Sequence, residues 1–255
     1  MNASSIIFIV VILLLLYIVI HYLTKDVSML QKNVMDATVM TTIQPITSKN
    51  TSISANSGNF TYSIWFYVND WNYKYGELKY VFARMGRASK ALSSKDNNLS
   101  SIASLNPCPA VTLSPIQNNI TISMSCFSGD PKSKSHNILS NTEITNVPIQ
   151  RWVNLYFSVY GRTLDVYIDG KLVRTNVLPG IVNVHHNEPT YITPMGGFYG
   201  WTSKFQYWPT SSDPQQAWNV YKAGYGGNLF ASLFGQYQVK VALLNNGQET
   251  SSVQV

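Results

Sequence analysis

At 255 residues the chain has room for one full domain with appendages, and 12% charged residues beside 13% aromatics exclude a collagen, a coiled coil and a disordered tail. The 18 Lys and Arg outnumber the 12 acids for a formal charge of +6, but they are scattered singly and never form the basic run of a nucleic-acid arm. Two cysteines, Cys108 and Cys126, are too few for a disulfide scaffold, and too few for a zinc site without histidine.

The first element is apolar. Residues 6–23, IIFIVVILLLLYIVIHYL, would span about 27 Å as a helix. They lack the basic n-region and small-residue cleavage site of a signal peptide, so the expectation is a retained transmembrane anchor over residues 1–24. Ile6, Phe8, Leu13, Leu16, Tyr17, Ile20 and Leu23 carry it. No small-residue spacing and no internal Lys, Arg or acid suggests a pore or a relay, which leaves attachment. Residues 25–57 turn to Ser, Thr, Asn, Lys and Met with Pro45 inside, a stalk with room for one strand around residues 37–43.

From residue 58 short runs of β-branched and aromatic residues alternate with turn clusters: 60–68, 111–113, 120–124, 153–159, 164–168 and 205–207. With no helical period between them, they predict an all-β antiparallel sandwich. In residues 151–180, Val153, Leu155, Phe157 and Val159 share a face, and Leu164, Val166 and Ile168 share the next. Asp169-Gly170 then supplies the positive-φ pair of a type I′ hairpin. Asp213 and Pro214 open a short helix that Gly224 ends.

The stretch from Trp152 through Tyr160-Gly161-Arg162-Thr163-Leu164 to Tyr167-Ile168-Asp169-Gly170-Lys171-Leu172-Val173 resembles the central meander of the laminin G-like, concanavalin A-like jelly roll. Residues 60–68 are similar to that family's early core strand. Residues 109–113 with 118–122 are similar to its middle hairpin, and residues 198–207 to its late strand. The resemblance covers residues 58–225. Residues 226–255 are an extension, read as a hairpin whose three-residue loop, 245–247, puts Tyr237, Val239 and Val241 on one face with Val253 and Val255. For the middle hairpin, a loop over residues 116–119 would place Cys108 on the opposite side of the sheet from Cys126, leaving two free thiols.

The chemistry of the family is largely missing from the sequence. Its glucanases carry an E-x-D-x(1 or 2)-E strand, and none is present; Asp165 and Asp169 sit about 13 Å apart in extended geometry. Where many members have an acidic pair for calcium, this chain has Ser203 and Lys204, and the loop acids Asp70, Asp96 and Asp130 are isolated. No catalytic residue, metal ligand or cofactor is therefore expected. The candidate interaction surface consists of Trp71, Tyr73, Tyr75, Tyr199, Trp201 and Trp208, whose rings suit stacking on sugars or a protein, with Tyr237, Val239 and Val253 of the extension. Trp65, Trp152 and Trp218 are read as core.

Anchor, stalk, sandwich and hairpin together resemble small anchored minor capsid proteins of the large DNA viruses of algae and amoebae. That resemblance implies a non-enzymatic structural protein tying the capsid shell to the internal virion membrane. Its partners would be the lipid membrane and other virion proteins. The alternative is a membrane-anchored, glycan-binding lectin. Lys25 and Lys32 beyond the anchor place the domain on the cytosolic, capsid-facing side. The five sequons, at Asn2, Asn50, Asn59, Asn98 and Asn119, match what composition alone produces and are expected unmodified.

Overall fold

The computed structural model describes residues 28–44, 58–85, 106–128, 137–184, 188–226, 240–245 and 248–254, together with Ile12, Leu14, Leu15 and Tyr17. Those four N-terminal residues are helical and exposed. The other anchor positions, Ile6, Phe8, Leu13, Leu16, Ile20 and Leu23, lie outside the described residues. Among the described residues no helix is long and apolar enough to cross a membrane.

The domain is all-β, two antiparallel sheets packed face to face. The larger sheet runs β1 (Met29–Gln31), β13 (Tyr199–Trp208), β4 (Phe60–Asp70), β9 (Trp152–Tyr160), β10 (Thr163–Ile168), β11 (Lys171–Val177), with β2 (Met35–Asp36) also on β13. The smaller runs β3 (Thr41–Ile43), β12 (Thr190–Ile192), β5 (Lys79–Arg84), β6 (Ala110–Leu113), β7 (Ile120–Phe127), β8 (Asn137–Ile144). One helix, α1 (Pro214–Lys222), packs outside the larger sheet, and β14 (Lys240–Asn245) with β15 (Gln248–Gln254) forms a separate hairpin.

Alternation builds the core. In β4, Phe60, Tyr62, Ile64, Phe66 and Val68 point between the sheets, where they meet Val153, Leu155, Phe157 and Val159 of β9 and Leu164 and Val166 of β10. Tyr62 is the hub, with ring centroids 5.7 Å from Phe157, 5.4 Å from Phe82, 5.8 Å from Phe205 and 4.9 Å from Tyr207. Each such ring contributes roughly 1.5–3 kcal/mol by leaving water. The meander forms as its sequence dictates: Ile168 pairs Lys171 across Asp169 (φ 51°) and Gly170 (φ 73°). Asp213 caps α1 by accepting from the Gln216 N–H at 2.7 Å, and Gly224 ends it at φ 66°.

Four expectations need correcting. Of the segment read as a stalk with room for one strand, residues 28–44 belong to the sandwich and carry three strands. β1 and β2 pair with β13 at the edge of one sheet, and β3 pairs with β12 at the edge of the other. Ala37, at the crossing, is fully buried in the core, its N–H donates to Gly200 O at 2.9 Å, and its carbonyl accepts from the Phe198 N–H at 3.2 Å. Strands of two or three residues are too short to show a period, which is why composition hid them. The middle hairpin closes two residues earlier than expected, with Leu113 opposite Ile120 and a Ser114 N–H to Asn119 O bond at 2.9 Å. Asn118 supplies the reason, since its carbonyl and amide both bond Val147.

Cys108 faces the same core cluster as Cys126, because β6 begins only at Ala110 and strand alternation does not extend back to Cys108. Both are free, buried thiols. The C-terminal loop has two residues, 246–247, and a bulge between Leu243 and Leu244 restores the facing, so Val241 lies opposite Val253 instead of Ser251.

Candidate functional site

The outer face of the larger sheet carries a row of aromatic rings. Outward-facing Trp65 and Tyr67 of β4, Trp152 of β9 and Trp201 of β13 supply four. The helix and the turn after it add Trp218, Tyr221 and Tyr225. Centroid separations run 5.5 Å for Trp218–Tyr221, 5.8 Å for Tyr221–Trp65, 6.0 Å for Trp65–Tyr225 and 4.4 Å for Tyr225–Trp152. They continue at 5.8 Å for Trp152–Tyr67 and 5.3 Å for Tyr67–Trp201. Trp201, Trp218 and Tyr225 remain 39–42% exposed, so the row ends in accessible rings on both sides.

Two side chains hold the helix end over this row. Ser203 Oγ donates to Tyr225 O at 2.9 Å, and Lys204 Nζ donates to Ala223 O at 3.1 Å. These are the two residues standing where the family resemblance leads one to expect calcium-binding acids, and their polar atoms are engaged in positioning. Beside them a groove of about 360 Å³ runs between Ser28 and Met29 on one wall and Gln216, Asn219, Val220 and Ala223 of the helix on the other.

The expected surface residues do not gather in one place. Trp201 belongs to the row. Tyr199 is exposed and its ring lies 6.4 Å from that of Tyr73, whose hydroxyl donates to Gly196 O at 3.2 Å. Tyr75 is exposed alone at the loop tip. Trp71 is turned inward against the core, with Lys79 Nζ 5.0 Å from its ring centroid; burial pushes the Lys79 ammonium down, partly offset by Glu77. Trp208 packs under α1, 5.9 Å from Tyr156. Tyr237 and Val239 lie outside the described residues, and Val253 sits in β15.

Of the three tryptophans read as core, Trp65 is buried, but on the outer face, and Trp218 is exposed, because α1 covers the sheet with its Ala217 side. The alternation of β4 could have revealed Trp65 and Tyr67 as outward rings. Nothing local could have shown that Tyr221 and Tyr225 return to stack on them.

Several of the described acids serve the fold. Asp36 accepts from the Thr38 N–H, which with the Thr38 hydroxyl holds its carboxyl below the usual range. Asp70 caps the Asn72 N–H, Asp169 pairs with Arg151 and accepts from the Asn154 N–H, and Asp165 accepts from Thr175. Among the described residues no three His, Cys, Asp or Glu come together as metal ligands would. Asn119 of one sequon is buried, its amide donating to Glu143 Oε1 at 2.8 Å and its Oδ1 accepting from the Asn146 N–H at 3.2 Å.

No protein-family model matches the chain, and no curated protein is similar to it at a significant level. Solved structures do resemble it. The receptor binding domain of botulinum neurotoxin D superposes with a TM-score of 0.50 at 11% identity, over 72% of this chain and 41% of that one. The corresponding domain of mosaic serotype C/D gives 0.51 at 9% identity, over 75% and 41%. The chain thus spans 41% of the length of these structures, and at such identity the likeness is one of fold: a β-sandwich of jelly-roll type.

Proposed function

We propose that the chain is a non-enzymatic, membrane-anchored structural protein, a minor capsid protein that ties a capsid shell to an internal virion membrane through protein–protein contacts. The observation that carries this reading is the docking of residues 28–44 on edge strands of both sheets. Tension on the N-terminal segment passes into the ladder hydrogen bonds of β13 and β12 at once, as a load-bearing connection requires. A flexible stalk would instead let the domain swing free. The exposed ends of the aromatic row offer anchors of the kind that dominate protein interfaces. The structural employment of Asp36, Asp70, Asp165 and Asp169 and the buried amide of Asn119 support a non-catalytic domain on the cytosolic, capsid-facing side.

The glycan-binding alternative draws on the Tyr73–Tyr199 pair, whose exposed edge could stack on a sugar, and on the receptor-binding use of the same fold in the matched toxins. Two measurements on the full-length chain separate the readings. Alkaline carbonate extraction should leave it in the membrane pellet, and a saccharide array probed with the micelle-solubilised chain should give no reproducible signal. Release into the supernatant would overturn the anchored reading. Saccharide binding that disappears with Tyr199→Ala would replace the structural reading with the lectin.

A further inference from the structure

The two sheets end differently on their two sides. On one side β1, β2 and β3 close the edges. On the other, β11 is left as the outermost strand of the larger sheet, seven residues long, with no strand on its far side among the described residues. Its inward positions are engaged, Arg174 Nη1 donating to Glu143 O at 2.9 Å and Asn176 Nδ2 to Thr142 Oγ1 at 2.7 Å. Of its outer positions Thr175 donates to Asp165, while two apolar side chains are open: Leu172 is 54% exposed and Val177 69%. A long edge strand with apolar side chains and open backbone groups is a template for pairing.

The hairpin β14–β15 has the complementary problem. A two-stranded hairpin in water is marginal unless a further strand or a packing face supports it. Its register puts Val241, Leu243 and Val253 on one face, and β15 matches β11 at seven residues.

We propose that the C-terminal hairpin docks on the free edge of β11 of its own chain and extends the seven-stranded sheet. Reach permits it. Tyr225 is stacked on Trp152 of β9, two strands from β11, and strands lie about 4.8 Å apart, so the edge is some 10–15 Å away laterally. The 13 residues 227–239 can span roughly 45 Å when extended, about three times that distance. The other open edge, β8, belongs to the sheet about 10 Å deeper and presents a single large exposed apolar residue, Ile138. A tether this short gives an effective concentration in the millimolar range, which favours the chain's own edge over a neighbour's. The docking stands apart from the capsid reading, and its failure would leave that reading intact.

The test is hydrogen exchange on the full-length chain in micelles, wild type against Val241→Pro, which breaks β14 and keeps every other residue. Amides of Lys171–Val177 should exchange at least tenfold faster in the variant, while those of Asn137–Ile144 stay unchanged. Equal exchange of Lys171–Val177 in both proteins would overturn the proposal. A mixture of isotope-labelled and unlabelled wild-type chains, treated with an amine cross-linker, should join Lys171 to Lys240 within one chain. Mixed-label products would assign the hairpin to a second copy and overturn the intramolecular docking.

Discussion

Replacing Ala37 by aspartate tests the docking of the N-terminal segment with a charge. Ala37 is fully buried in the inter-sheet core, and both its backbone groups are hydrogen-bonded. A carboxyl placed there enters a cluster of apolar and aromatic side chains. Desolvation therefore holds it neutral at pH 7. Keeping it neutral there costs about 4 kcal/mol, at 1.36 kcal/mol for each of the roughly three pH units above the free value of 3.9. The sign follows from proton binding. The native state keeps the proton that the unfolded chain releases, so the penalty is absent near pH 4 and grows as pH rises to 7. Ala37→Asn controls for size and polarity without charge. Urea unfolding of the full-length chain in micelles, followed by tryptophan fluorescence, should find the two variants alike near pH 4 and separated by about 4 kcal/mol at pH 7, a large share of a stability of about 5–15 kcal/mol. Coincident curves at both pH values would refute the burial of Ala37 and with it the docking of residues 28–44.

Gly200→Ala should cost more than about 3 kcal/mol, because the added Cβ would lie 1.8 Å from the Tyr67 carbonyl oxygen, which the β13–β4 ladder prevents from moving; a melting temperature within two or three degrees of wild type would contradict this. Burial pushes the Tyr156 phenol up to about 12, partly offset by its hydrogen bond to Ser212, against about 10 in the unfolded chain. Its contribution is complete below pH 10 and lost as pH rises toward 12, so Tyr156→Phe should flatten the alkaline fall in stability measured by urea titration; an unchanged fall would count against it. Trp201→Ala, at the exposed end of the aromatic row, should change stability by no more than about 1 kcal/mol while reducing cross-linking to partners in the native assembly; undiminished cross-linking would remove the row from the interface.

Much of the larger sheet was legible because its strands are long and strictly alternating: residues 60–68, the meander with its Asp169-Gly170 turn, and the capped helix all formed where their residues require. The smaller sheet was harder to read. β5, Lys-Tyr-Val-Phe-Ala-Arg, carries cations at both ends that look solvated, yet Lys79 and Arg84 are both buried, Arg84 against the phenols of Tyr62 and Tyr207. β8 is rich in Asn, Ser and Thr, and β12 has three residues, so neither offers a hydrophobic period. The aromatic row depends on register between β4, β9 and β13 and on the return of the chain after α1. Those are tertiary facts that no window of sequence contains.

Cross-linking mass spectrometry of the intact native assembly tests the central claim most directly, with an amine-reactive reagent applied before the membrane is disrupted. The account predicts that Lys171 and Lys222 of the sandwich join lysines of a capsid shell protein, while the chain remains in the lipid fraction after the shell is stripped. Recovery of the chain with lipid but without any shell-protein cross-link would contradict it.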